Sequence, residues 1–144
     1  MSKRVVVERV IPAEAQAIFD LLADPAMHPV IDGSGTVRKP REGNPVRLDL
    51  GSTFGMDMRM GAPYKITNTV VEFEEGRRIA WRHFGKHVWM YDLEPVDGGT
   101  KVTETFDYST ARSPLWVKLA GFPRRNRKGM EKTLLRLEKH FTSG

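Results

Sequence analysis

The chain has 144 residues, the size of one domain with one core. Hydrophobic residues make up 40% and charged residues 28%, which excludes intrinsic disorder, and the lack of cysteine excludes disulfides, thiolate metal sites and thiol catalysis. The formal net charge is +5, and the 23 Lys and Arg residues are densest at Arg124, Arg125, Arg127 and Lys128, continuing through Lys132, Arg136 and Lys139.

A basic run of this kind suits nucleic acid, an acidic membrane surface or an anionic ligand, or is simply a solvated helix face. No aromatic residue interleaves with the cations as single-strand stacking requires, so no nucleic-acid partner is expected. No signal peptide is read in the first residues, and no apolar run reaches the roughly 20 residues of a membrane span. A cytoplasmic location is the expectation.

In chain order, residues 3–11 are rich in β-branched residues and predict a strand that Pro12 stops. A helix is predicted from Ala13 to Ala23, with Ala15, Ile18, Phe19 and Leu22 at helical spacing, closed by Asp24-Pro25. A short helical turn is predicted around Ala26–His28. The two glycines of Asp32-Gly33-Ser34-Gly35 predict a turn, Thr36-Val37-Arg38 a short edge strand, and residues 39–51 a loop.

From Thr53 onward the pattern is strand. Phe54, Met56, Met58 and Met60 alternate against Thr53, Gly55, Asp57 and Arg59, the cleanest period-2 signal in the chain. Strands follow at Tyr64–Glu74, Arg78–Phe84, His87–Val96 and Thr100–Ser109, with turns at Glu75-Gly76-Arg77, Gly85-Lys86 and Asp97-Gly98-Gly99. Ser113 and Pro114 suit the start of a helix, and Pro123 should kink or break it after Leu115–Phe122. Beyond that, Met130, Leu134, Leu137 and Phe141 form a narrow apolar stripe at i, i+4, i+7, i+11.

The order is strand, helix, short helix, six strands, long helix. It predicts an α+β helix-grip fold over residues 1–144: a curved seven-stranded antiparallel sheet wrapped around the C-terminal helix, with two short helices between strands 1 and 2. Such a sheet needs a cover on its apolar face, and the amphipathic C-terminal helix supplies one.

The stretches Val7-Glu8-Arg9-Val10-Ile11-Pro12-Ala13-Glu14, Ile18-Phe19-Asp20-Leu21-Leu22-Ala23-Asp24-Pro25, Val70-Val71-Glu72-Phe73-Glu74, Arg78-Ile79-Ala80-Trp81 and Gly98-Gly99-Thr100-Lys101-Val102-Thr103-Glu104 carry a resemblance to a known superfamily. They resemble the SRPBCC, or START-like, superfamily of the birch-pollen allergen, in its bacterial polyketide cyclase/dehydrase-type branch. The resemblance covers about residues 3 to 141 and implies a cavity between sheet and helix. It does not choose an activity, because the superfamily includes carriers, receptors and cyclases.

On that basis Phe54, Met56, Met58, Met60, Tyr64, Asn68, Trp81, Trp89, Phe106 and Met130 are expected to line a site for a small hydrophobic ligand, lipid-like, aromatic or polyketide-like. A filled core is the plain alternative. Parity places His83, Tyr91 and Glu104 on the same inward face. A buried carboxylate is costly to ionise unless paired, so Glu104 with His83 or Tyr91 is a candidate acid/base set for a carbonyl substrate. A structural, hydrogen-bonded carboxyl is the alternative.

The four histidines fall on separate elements without metal-ligand spacing, so neither a metal nor a cofactor is expected. His87 is expected to be solvated, and the Asp32-Gly33-Ser34-Gly35 turn to sit at a cavity rim. Three functions follow: a binding or carrier domain; a cyclase, aromatase or dehydrase using Glu104, His83 and Tyr91; or a protein-interaction module without a small-molecule ligand. For the first, the basic stretch 124–128 suits an anionic head group or an acyl carrier protein. A monomer or weak dimer is expected.

Overall fold

The computed structural model describes residues 3–33, 37–40, 43–60, 62–83, 87–109, 115 and 121–142, with the side chains of 37–40, 58–60, 62–66 and 122 outside that description. Alternating β-branched residues form β1 (Arg4–Ile11), which buries Val5, Val7 and Ile11 and turns Val6 to solvent. Pro12 lacks the amide that would extend it. Two short helices follow: α1 (Ala15–Leu22), then a 3-10 turn (Pro25–Met27) running into α2 (His28–Ile31). The Asp24 carboxylate caps the 3-10 turn by accepting from the Ala26 amide at 3.0 Å.

The remaining strands are β2 (Val37–Pro40), β3 (Thr53–Met60), β4 (Ala62–Glu74), β5 (Arg78–His83), β6 (Val88–Val96) and β7 (Gly99–Asp107). They form one antiparallel sheet in the order β1-β7-β6-β5-β4-β3-β2. Six strands form its body. The four-residue β2 adds an edge whose register slips between Val37 and Lys39. A second irregularity falls between Val70 and Glu72 in β4, where a bulge keeps both halves of that long strand in register with β5.

The C-terminal helix α3 (Phe122–Thr142) packs on β1 and β7 and touches α2. Its buried positions are Met130, Thr133, Leu134 and Leu137, with Phe141 partly buried. Each fully buried leucine or methionine contributes about 1.5–3 kcal/mol of hydrophobic stabilisation. Arg9 fastens the same face by donating from Nε to Glu138 at 2.9 Å. No helix among the described residues is long and apolar enough to cross a membrane.

One close approach locks α2 to α3. The Gly33 amide donates to Thr133 Oγ1 at 2.8 Å, Thr133 Oγ1 donates to Gly129 O at 2.9 Å, and Arg136 donates to the Asp32 carbonyl. A Cβ on Gly33 would lie 2.5 Å from the Thr133 amide nitrogen and 2.6 Å from the Gly129 carbonyl oxygen, so only glycine fits. Gly33 therefore lies against α3 itself; Ser34 and Gly35 of the predicted turn lie outside the described residues.

Other expectations shift in detail. The first helix is shorter than predicted, because Ala23 already caps it. The edge strand, Val37–Pro40, takes in Lys39 and Pro40, and Thr36 lies outside the described residues. Pro123 falls within the first turn of α3, where its missing amide is harmless, and Gly121 precedes that helix at φ 79°; the predicted helix Leu115–Phe122 lies mostly outside the described residues. The predicted Ser113 cap, Pro114 and the Gly85-Lys86 hairpin lie outside the described residues.

Candidate ligand-binding site

Strand register arranges the inward side chains in rows. One row runs Val7, Glu104, Tyr91, Ile79 across β1, β7, β6 and β5. The next runs Val5, Phe106, Trp89, Trp81, Val70. A third holds His83 opposite Asn68, and Asn68 opposite Phe54. Phe54, Met56, Trp81, Tyr91, Phe106 and Met130 are buried, and Trp89 is partly so. Met58, Met60 and Tyr64 are placed by backbone on β3 and β4, and their side chains lie outside the description.

Glu104 is only 3% exposed. The hydroxyl of Tyr91, directly across the ladder, donates to its carboxyl, and Oε1 has no hydrogen-bond partner. Burial pushes this carboxyl up to about 8, the Tyr91 bond opposes that rise, and the charge of Asp32 adds to it. Glu104 is therefore largely a neutral acid at pH 7. Burial, with the charges of Glu104 and Asp32, holds the Tyr91 phenol well above its usual value. Asp32 reaches this pair because Gly33 and Arg136 hold its backbone on α3.

Beside this pair is an aromatic cluster. Trp81 packs against Phe54 at 5.5 Å between centroids, against Tyr91 at 5.7 Å and, nearly parallel, against His28 at 4.9 Å. His28 is buried, and its Nε2 lies 2.8 Å from the Leu22 carbonyl, a contact that only a protonated nitrogen can make. Burial lowers its basicity, so the ring is neutral at pH 7. Its partners are now a carbonyl and two aromatic rings.

The other end of the face carries a stacked histidine pair. His83 and His87 lie 4.5 Å apart at 14°, and His87 meets Phe106 at 5.3 Å. Burial and the neighbouring His83 push His87 down to about 4. The expected solvated His87 is thus corrected: the ring folds inward onto aromatic partners. Asn68, 3% exposed, keeps an unpartnered Oδ1 in this row.

Of the three acid/base candidates, Glu104 and Tyr91 are brought together. His83 is four residues along β5 from Ile79, the residue facing Tyr91, or about 13 Å along the strand. The sequence sets Asp32 and Gly33 in a turn at a cavity rim and gives His28 no role in the site; the structure stacks His28 on Trp81 and brings the charge of Asp32 to bear on Glu104. Among the described residues no cluster of three or more His, Asp or Glu side chains could hold a metal. A groove of about 360 Å³ on the opposite, polar face is lined by residues such as Arg78, Asp92, Lys101 and Thr103. Two ion pairs cross it, Arg78 with Asp92 at 2.6 Å and Lys101 with Glu94 at 3.3 Å.

A domain with this sheet, this helix and this inward face belongs to the helix-grip class. Residues 2–142 match the family described as "Polyketide cyclase / dehydrase and lipid transport", and the chain belongs to it. It is 36% identical over 143 residues to the uncharacterized protein Rv0088 of Mycobacterium tuberculosis, covering 93% of this chain and 62% of that relative. The chain thus spans about three fifths of the length of the curated relatives it matches.

Among solved structures, protein NE0264 of Nitrosomonas europaea superimposes with a TM-score of 0.75 at 17% identity, covering 94% of this chain and 92% of that one. A Rhodobacter sphaeroides protein gives 0.75 at 19% identity, with 99% and 94% covered. An AHSA1-like protein of Aeromonas hydrophila gives 0.68 at 21%, with 95% and 93% covered. At these identities the likeness is one of fold.

Proposed function

We propose that this domain binds a small hydrophobic molecule, aromatic, lipid-like or polyketide-like, between the sheet and α3, with Glu104 as its polar anchor. The observation that carries this reading is the unpartnered Oε1 of a carboxyl buried beside Tyr91, whose ring packs on Trp81. A buried polar atom without a partner costs about 1–3 kcal/mol, and a bound hydroxyl or carbonyl would recover that cost. Family membership supports the same reading. Native mass spectrometry of freshly purified protein tests it. A retained non-protein mass in the wild type that is lost in Glu104→Gln is the expected result; no retained mass and no ligand from an apolar panel would refute it.

A second reading has its own observation. A neutral Glu104 with a pKa about 8 sits near the value an acid/base catalyst needs at physiological pH. With Tyr91, and with His83 farther along the face, it supports a cyclase, aromatase or dehydrase that protonates a carbonyl of a bound chain. Under this reading Glu104→Gln keeps binding and loses turnover. Under the binding reading it weakens binding itself.

The exposed cations Arg124, Arg125, Arg127 and Lys128 at the start of α3 support docking of an anionic head group or an acyl carrier protein. Such docking would weaken steeply with salt. Affinity that is unchanged between low and high ionic strength would refute it.

A further inference from the structure

We infer that the Glu104 end of the interior takes a hydroxyl or a protonated amine carried on an apolar body, and turns away carboxylates. This rests on the binding reading above and adds to it the chemical class of the ligand's polar group.

Among the described residues, Glu104 Oε1 and Asn68 Oδ1 are interior oxygens without a hydrogen-bond partner. The amide oxygen only accepts. The carboxyl oxygen accepts when Glu104 is ionised and can carry the proton when it is neutral. A hydroxyl serves both states, because it donates and accepts. An ammonium serves the ionised state. A carboxylate can serve neither the amide oxygen nor ionised Glu104, and where neutral Glu104 could donate to it, it brings a second negative charge within reach of that of Asp32.

The charges point the same way. Asp32 raises both Glu104 and Tyr91, so its negative charge is felt at this end. The three interior histidines that could supply a countercharge are all held toward the neutral form by burial: His28 against Trp81, and His83 and His87 against each other. Among the described residues, two cations of α3 are turned to the surface. Arg136 is exposed and spends its contact on the Asp32 carbonyl, and Arg127 is exposed and donates to the Val6 carbonyl of the β1 edge. The faces of Trp81 and Tyr91 carry negative potential, which attracts a cation and repels an anion.

Isothermal titration calorimetry of the full chain at pH 7 with three matched probes tests this: 2-naphthylmethanol, 2-naphthylmethylamine and 2-naphthoate. The alcohol and the amine are expected to bind at least about tenfold tighter than the carboxylate. Glu104→Gln should cut amine affinity by about tenfold and alcohol affinity by about threefold or less. Amine binding to the wild type should also release protons, seen as a buffer-dependent heat, because the ammonium favours ionised Glu104. Naphthoate binding as tightly as the alcohol would overturn the inference and leave the binding reading standing. No binding of any probe would overturn both. The ranking in the wild type decides the matter even if the variant fails to fold.

Discussion

Tyr91 and Glu104 face each other across β6 and β7, and the phenol's hydrogen bond leaves one oxygen of the buried carboxyl without a partner. That relationship links the stability of the domain to pH as well as to ligand. The folded pKa of Glu104, about 8, lies above its ordinary value of 4.5. Between those values the unfolded chain has lost a proton that the folded chain keeps. Stability therefore falls as pH rises through this window, by up to about 1.4 kcal/mol per pH unit. Glu104→Gln should remove that slope. Urea denaturation at pH 5, 6, 7 and 8 checks it, and parallel curves for both proteins would contradict it.

The histidines act in the opposite direction. His87 at about 4, with His83 and His28 also lowered, stays neutral in the fold where the unfolded chain binds a proton. Stability from this source is present above the ordinary histidine pKa of 6.5 and is lost as pH falls toward 4, by at most about 1.4 kcal/mol per pH unit for each ring. His87→Gln should flatten the acid limb of a plot of melting temperature against pH. An unchanged acid limb would show that the stacked pair does not control it.

Tyr91→Phe removes the bond that favours ionised Glu104. The carboxyl should then titrate above about 8, and the domain should lose about 1–3 kcal/mol, the cost of a buried polar group left without its partner. Carbon-13 titration of the Glu104 carboxyl measures the first effect and denaturant melts the second.

The α2–α3 contact has its own test. Gly33→Ala places a methyl group against the backbone of Thr133 and Gly129, which cannot move aside as a flexible side chain would. A loss of about 1–3 kcal/mol is expected, as for an overpacked core. Thr133→Val, which removes only the hydroxyl that Gly33 donates to, should cost about 1 kcal/mol. Hydrogen exchange at the Gly33 amide should quicken in both.

What the sequence made legible follows from periodicity. Alternation along β6 and β7 identifies their inward sides, and so places Tyr91, Glu104 and Phe106 inside. The stripe Met130, Leu134, Leu137 identified the face of α3 that meets β1 and β7. Asp32, Gly33 and His28 belong to no periodic pattern. Gly33 meets Thr133 from 100 positions away, and a short irregular helix gives no sign of such a contact. His87 reads as solvated because it follows the predicted Gly85-Lys86 turn; its burial depends on a ring stack with His83 that alternation does not encode.

The most direct test of the account is a proton–nitrogen correlation titration of the full chain with 2-naphthylmethanol. Shifts at the amides of Tyr91 and Glu104 and at the indole of Trp81 are the predicted result. Shifts confined to Arg78, Asp92 and Thr103 on the polar face, or no shifts at all, would contradict a ligand site anchored at Glu104.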